Sequence, residues 1–410
     1  MRFEGFRHML SHLAEQTPDA PALRYGDASL TFAQLYGAVL DRAERYRAEG
    51  RTCLAVLADG SLDCVLAVFG ASLAGMQIVL LDDLLPEETL CALLAYTDAD
   101  ALWGDAHLAE ALTPCLTAGV SDGAGRILFF TSGTTERAKA VVLTDHSLCQ
   151  SAWNGGQKLP LAPEDTLLCL LPLGHVFGFV CGLLWGLTCG ACVALGRGPR
   201  YYFQDCAFYM PTTVSLVPML LEHLLRANAL NPELKLILVG AGDCPHPLLE
   251  AAGEKGIRIS FGYGLTETSS GVAISISGDP FAMEVCPDDK ITLGEDGEIL
   301  IEAPTCMMEG YYKRPEDPAA VLRDGILRTG DLGRFDEEGR LHITGRKKDI
   351  LLLPDGTKLF LPEYEGELMA ALNHRDLAVT LKNGRPALVY VGEAEPEDLN
   401  TRLKSLMARL

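Results

Sequence analysis

The stretch CLAVLADGSLDCVLAVFGASLAGMQIVLLD, residues 53–82, decides the fold class. Its two ends, CLAVLA and QIVLLD, are unbroken apolar runs of strand length, the pattern of strands covered on both faces. Between them, DCVLAVFGASLAG reads as a helix that stops at Gly75. A strand, a helix and a second buried strand predict a parallel sheet with helices on its faces. The theme recurs downstream in RILFFTSG (126–133), TLLCLLPL (166–173), ACVALG (191–196), TVSLVP (213–218), LKLILVGAG (234–242) and RISFGYG (258–264). Upstream, MRFEGFRHMLSHLAEQ reads as an amphipathic helix. PALRYGDASL reads as a hairpin, followed by a helix that Thr31 opens and that buries Leu35, Val39, Ala43 and Tyr46.

In such sheets ligands bind at the carboxyl ends of the strands. TSGTT (131–135), LGHVFG (173–178), GAGD (240–243) and GYGLTET (262–268) all fall at such ends, so four motifs converge on one edge. Beyond residue 285 the texture changes. ITLGEDGEILIEAP and ILRTGDLGRFDEEGRLHITGR are short strands joined by D-G and E-G turns, which predict antiparallel β structure. A boundary is expected near Arg346–Asp349. The expected division is therefore 1–348, a large α/β domain of parallel-rich layers with a small antiparallel β subdomain, and 349–410, a short α+β tail. That tail reads as a strand, a helix from Pro362 to Leu372, a hairpin over Asn383-Gly384 and a last helix.

At 410 residues the chain has room for two domains, and its formal charge of −21 argues against nucleic-acid partners, which require basic patches. Thirteen cysteines show no framework spacing, and the N-terminus lacks the apolar core of a signal peptide. Both predict a reducing, cytoplasmic setting. Cys189 and Cys192 have C-x-x-C spacing, but without a second pair they read as small core residues rather than a metal or redox site. From Val176 to Gly196 no charged residue occurs, and Gly178, Gly182, Gly186 and Gly190 fall four apart. In lipid this would be a spanning helix with a small-residue face. In water it is a buried helix that another element approaches closely. The α/β alternation on both sides favours water, so no stable membrane insertion is expected.

The loop TSGTTERAKA (131–140) is not a Walker P-loop, which needs glycine just before the lysine and Ser/Thr just after it. It is a hydroxyl loop: Thr131, Ser132, Thr134 and Thr135 offer O–H donors, Gly133 lets backbone N–H groups turn inward, and Lys139 adds a cation. Taken in order, TSGTT, YGLTET (263–268) and TGD…GRKKD (329–349) resemble the signatures of the adenylate-forming superfamily, which includes the acyl-CoA synthetases, the adenylation domains of peptide synthetases and the luciferases. LTFAQL, LPLGHVFG and GYYKRPE (310–316) extend the resemblance, which runs from about Phe6 to the C-terminus.

The resemblance implies roles residue by residue. Thr131 to Thr135 and Lys139 would wrap the phosphates of ATP. Tyr263 and Gly264 would lie against adenine, with Gly242 and Asp243 facing its other side. Thr266 would touch the phosphate that stays in AMP, and Glu267 would hold Mg²⁺. Asp331 would accept hydrogen bonds from the ribose hydroxyls and Arg346 would donate to them. His175 would gate the acid pocket, and Asp349 would be the hinge of a mobile C-terminal domain. The implied reaction is activation of a hydrophobic acid, fatty or aromatic, as acyl-AMP, followed by transfer to a thiol of coenzyme A. The alternatives are loading of a carrier protein, or a pseudoenzyme that binds nucleotide or acyl-adenylate without turnover. Without the family, His175 reads equally as a packed core histidine, Asp331 as a turn residue, and Lys347 with Lys348 as a solvated pair.

The sequence departs from the family pattern in two places. Glu136, Arg137, Ala138 and Ala140 replace the glycine and proline positions usual around the loop lysine. A carboxylate ~6 Å from a phosphate charge costs roughly 3 kcal/mol at an effective dielectric near 20, so Glu136 is expected to point away from the nucleotide. After the hinge only Lys358, Lys382 and Lys404 occur, none in the Gly-Lys context of the family's adenylation lysine. The expectation is slower adenylation, or a lysine supplied by another chain.

Overall fold

The computed structural model describes residues 1–117, 123, 125–131, 139–242, 244–314, 316, 321–352, 358–372, 377–382 and 385–390. Ser132, Gly133, Thr134, Thr135, Glu136 and Asp243, and the expected last helix, lie outside them. The chain divides into two compact units: Met1–Ile291 with Ile301–Leu327 and Asp336–Leu341, and Thr292–Leu300 with Arg328–Phe335 and His342–Leu410.

Two sheets organise the first unit. In one, strands Cys53–Leu57, Gln77–Leu81, Ala101–Trp103 and Arg126–Thr131 are parallel. Strands Lys139–Thr144 and Gly310–Tyr311 extend it antiparallel. The residue alternation of these strands explains their unbroken hydrophobicity. Leu54, Val56, Ile78 and Leu80 face the large core, while Cys53, Ala55, Leu57, Val79 and Leu81 face a second cluster with Leu90, Leu94 and Leu112. Each face is covered, so Cys53–Leu57 and Gln77–Leu81 are apolar except at Gln77, which is buried with its Nε2 donating to the Thr97 carbonyl at 3.2 Å.

The second sheet runs parallel through Pro21–Tyr25, Cys192–Leu195, Thr166–Cys169, Thr213–Leu216, Leu236–Val239 and the start of Arg258–Leu265. It then turns antiparallel with Ser270–Ser275 and Met283–Val285. The hairpin Pro21–Tyr25 with Ala28–Thr31 flanks it at the other side. Helices Phe6–Gln16, Phe32–Glu49, Leu62–Ala74 and Asp145–Lys158 supply much of the core. Thr31 caps its helix reciprocally with Gln34, and Leu35, Val39, Ala43 and Tyr46 are buried as the spacing predicts. Phe6 packs on Phe69 at 4.8 Å and on Phe179 at 6.1 Å, and Phe179 on Phe129 at 5.7 Å, joining four elements in one aromatic cluster.

The uncharged stretch from Val176 is not one regular helix. It runs as Val176–Phe179, a π-helical segment Val180–Leu184, then Trp185–Thr188, before strand Cys192–Leu195. Its glycines admit neighbours closely: a Cβ on Gly178 would lie 2.2 Å from the Pro172 carbonyl oxygen, and one on Gly186 2.5 Å from Val193. Among the described residues no helix is long and apolar enough to cross a membrane.

Cys91 and Cys115 form a disulfide between helix Glu87–Thr97 and the turn after Ala106–Leu112, with Cα atoms 5.3 Å apart. Connectivity of this kind cannot be read from spacing alone. Cys189 and Cys192 are not bonded, and burial pushes both thiols up, Cys192 to about 11.

In the second unit, strands Ile350–Leu352 and Lys358–Phe360 pair antiparallel, helix Leu361–Leu372 follows, and Leu377–Lys382 pairs with Arg385–Tyr390 in the expected hairpin. Leu368, Leu377 and Val379 form its small core with Leu361, Tyr364, Met369 and Leu388. In the first unit, Asp324 and Gly325, a D-G pair outside the stretches quoted above, join Leu322–Arg323 to Ile326–Phe335 with positive φ at both, as a two-residue hairpin turn of the favoured hand requires.

Candidate active site

The hydroxyl loop is the connection of a β-hairpin. Its ends, Thr131 and Lys139, are directly paired across strands Arg126–Thr131 and Lys139–Thr144. That pairing fixes where the loop leaves the sheet and where its lysine starts. The Lys139 ammonium lies over the ring of Tyr311, 4.7 Å from the centroid. The Tyr311 hydroxyl donates to Glu267 Oε1 at 2.7 Å. Lysine, tyrosine and glutamate, far apart in sequence, thus form one contiguous group.

The 266–271 segment is built to hold Glu267 in place. Strand Arg258–Leu265 ends at a 3₁₀ turn, Thr266–Thr268, and returns as Ser270–Ser275. The Leu265 N–H donates to Thr268 Oγ1 at 3.1 Å, and the Thr268 hydroxyl is within bonding reach of the Ser270 carbonyl at 2.9 Å. The turn is so tight that a Cβ on Gly264 would fall 1.8 Å from that carbonyl oxygen, so only glycine fits there. Ser269 and Ser270 both have positive φ, 53° and 107°, and the Ser269 hydroxyl donates to the Cys306 carbonyl at 2.7 Å. The Met308 N–H donates to the Glu267 carbonyl at 2.8 Å, tying the 306–311 segment to the same turn.

The edges of the two sheets meet here. A Cβ on Gly174 would contact the Leu81–Asp82 backbone at 3.2–3.4 Å, so this glycine lets the 170–175 loop lie against the end of strand Gln77–Leu81. His175 follows, exposed at the start of a helical turn, which excludes the packed-core reading. Phe177 from that turn lies against Gly240, where a Cβ would be 3.1 Å from the ring. Gly242 is exposed, and Tyr263 and Thr266 are half-buried beside Gly264.

The second unit holds the remaining predicted residues. Asp331 is buried, 4% exposed, and Arg346 Nε pairs with its Oδ1 at 3.0 Å. Thr329 organises the turn: its hydroxyl donates to the Ile299 carbonyl at 2.8 Å and accepts from the Asp331 N–H at 3.0 Å. Glu298, which the motifs did not single out, anchors this group. It is 3% exposed, accepts from the Gly330 N–H at 3.1 Å, pairs with Arg328, and receives Lys347 Nζ at 2.8 Å. Lys347 also reaches Asp296 at 2.6 Å, and the hydrogen bonds to Asp296 and Glu298 hold its ammonium above the usual lysine range. It is a tethered residue, not part of a solvated pair. Asp349 sits in the short 3₁₀ turn Lys347–Asp349.

Among the described residues no group of three or more His, Cys, Asp or Glu side chains could hold a metal. Glu267 is a single carboxylate next to a cationic strand end. That suits Mg²⁺, which is bound through one or two carboxylates plus substrate phosphates rather than by an all-protein cage.

Residues 10–312 match the family model described as AMP-binding enzyme. The chain belongs to that family. It is an adenylate-forming member of the acyl-CoA synthetase kind, an acid–thiol ligase that forms AMP. It is 29% identical over 403 residues to 2-succinylbenzoate–CoA ligase of Bacillus subtilis (strain 168), covering 88% of this chain and 82% of that protein. It is 30% identical over 404 residues to the same ligase of Bacillus velezensis, covering 87% and 81%. The solved structure of O-succinylbenzoate coenzyme A synthetase from Bacillus subtilis in complex with AMP superposes with a TM-score of 0.83 at 26% identity, over 97% of this chain and 91% of that one. The same synthetase with ATP and magnesium ion superposes equally well, with a TM-score of 0.83 at 25% identity, over 97% and 92%.

Proposed function

We infer that this AMP-binding enzyme joins an aromatic carboxylic acid to coenzyme A by way of its acyl-adenylate. The observation that carries the reading is the Lys139–Tyr311–Glu267 group at the strand ends. A carboxylate is a weak nucleophile and is repelled by the triphosphate, so a site that activates it must gather positive charge and N–H or O–H donors around the α-phosphate. Lys139 and the hydroxyl loop serve the phosphates, and Thr266 the phosphate retained in AMP. Bound at Glu267, Mg²⁺ supplies Lewis-acid neutralisation of the phosphate charge.

An acid oxygen attacks the α-phosphorus, the bond to pyrophosphate breaks, and the mixed anhydride forms. A thiolate then adds to the acyl carbon and AMP leaves with the bonding electrons. Tyr263 and Gly242 flank the adenine. Asp331 takes the ribose hydroxyls while Arg346, paired with it at 3.0 Å, donates to them. Asp349 is the pivot between the division 1–348 and the mobile 349–410, and His175 gates the acid.

Support for an aromatic acid comes from the name of the relatives, the 2-succinylbenzoate–CoA ligases. Acyl-CoA formation, followed by mass spectrometry over a panel containing 2-succinylbenzoate, simple benzoates, fatty acids and amino acids, tests the reading. Aromatic acids are expected to give the thioester, and 2-succinylbenzoate to lead. Turnover confined to amino acids, or acyl transfer only to a carrier protein, would overturn it.

A further inference from the structure

We propose that Tyr311 is a positioning residue for catalysis, joining the phosphate-loop lysine to the metal carboxylate. This rests on the reading of Glu267 as the Mg²⁺ ligand. The Tyr311 side chain is 7% exposed, its ring lies under Lys139 Nζ at 4.7 Å and its hydroxyl donates to Glu267 Oε1 at 2.7 Å. One side chain therefore does two things: its face attracts a cation and its polar end fixes an anion.

The strand around it makes this placement specific. Gly310 and Tyr311 pair with Val142 and Val141, the continuation of the strand that Lys139 begins. Successive strand residues point to opposite faces, so Tyr311 and Tyr312 cannot share a role. Tyr312 turns the other way, donating to Asp98 Oδ2 at 3.0 Å, and Lys313 Nζ pairs with Asp98 at 2.7 Å. Tyr312 and Lys313 fasten the strand to helix Glu87–Thr97 and its cap, and Tyr311 faces the site.

A glutamate has three rotatable side-chain bonds, and ordering them weakens metal binding unless a partner has already done so. The Tyr311 hydroxyl occupies Oε1 and orients the carboxylate, leaving Oε2 to meet a cation. Partners of this kind commonly change metal affinity by 10–100-fold when removed. The ring has the separate effect of attracting the Lys139 ammonium to the same tyrosine that orients the carboxylate.

The two functions separate by substitution. Tyr311→Phe removes the hydroxyl and keeps the ring, Tyr311→Leu removes both, and Tyr312→Phe is the control on the opposite face. Calorimetric titration of ATP at graded Mg²⁺ concentrations reads binding without turnover. Y311F is expected to raise the Mg²⁺ concentration for half-maximal ATP binding by roughly tenfold and to leave metal-free ATP binding unchanged. Y311L is expected to weaken metal-free ATP binding as well, and Y312F to change neither. In a Glu267→Ala background the Y311F shift is expected to vanish, which a merely structural role would not produce. An unchanged Mg²⁺ midpoint in Y311F alongside a shifted one in E267A overturns the proposal and leaves the function standing. A midpoint that E267A itself does not move overturns the metal reading of Glu267, and this proposal with it.

Discussion

Glu298 shows how much one unremarked side chain can hold. It is buried, and Arg328, Lys347 and the Gly330 N–H all converge on it. Glu298→Gln keeps the shape and removes the charge, leaving Lys347 and Arg328 with weaker partners and the turn before Asp331 less firmly held. Breaking a buried pair of this sort is expected to cost about 2 kcal/mol, with both cations partly exposed. Urea unfolding measures that, and ATP affinity is expected to fall in parallel. Asp289 behaves differently. Burial and the neighbouring Asp288 charge push its carboxyl up to about 7, against the hydrogen bond that Asn154 donates at 2.8 Å. A raised folded pKa means that the native state holds a proton the unfolded chain has lost, so this group's stabilisation is full below about pH 4 and is lost as pH rises through about 7. Asp289→Asn is expected to remove that slope, so that the variant gains on the wild type between pH 5 and pH 8 in urea midpoints. Neither residue was legible in the sequence. Each is an ordinary acid until the fold surrounds it, and their partners come from separate segments.

The strands were legible because burial on both faces makes them almost wholly apolar, as in Cys53–Leu57 and Gln77–Leu81, where Gln77 is the one polar residue. The helix from Phe32 was legible from Thr31 and its apolar spacing. The 176–188 stretch was legible as buried but not as broken, because composition records apolar character and not the register that Pro172, Cys169 and Val193 impose on its glycines. Adding one methyl at Gly178 meets the Pro172 carbonyl, a backbone atom that cannot rotate away. Gly178→Ala is therefore expected to destabilise by about 1–3 kcal/mol in urea unfolding. Gly253→Ala, where a Cβ meets nothing within 4 Å, is the helical control and is expected to be neutral or slightly stabilising. Strand Lys139–Thr144 was missed as an antiparallel partner, since a hairpin and a strand–loop–helix unit begin with the same apolar run. Tyr311 was quoted within GYYKRPE, yet the role proposed for it was hidden because its contacts to Lys139 and Glu267 are made only when two strands and the 3₁₀ turn Thr266–Thr268 assemble.

At the scale of the whole molecule, the residues proposed for nucleotide chemistry fall in two units: Thr131, Lys139, Thr266 and Glu267 in the first, and the Asp331–Arg346 pair in the second. The family assignment rests on a match that runs from residue 10 to 312 and ends just past Tyr311. Ordered motifs carried that assignment at the sequence level, whereas the proposed acid rests on the relatives' name and no motif encodes it. The central claim is that the Glu267-centred group activates an acid on ATP. Acid-dependent exchange of labelled pyrophosphate into ATP measures that half-reaction alone. The account predicts exchange with an aromatic acid that needs Mg²⁺ and falls by about 100-fold in Glu267→Ala. Exchange that survives E267A undiminished, or no exchange with any acid while ATP binds, would contradict it.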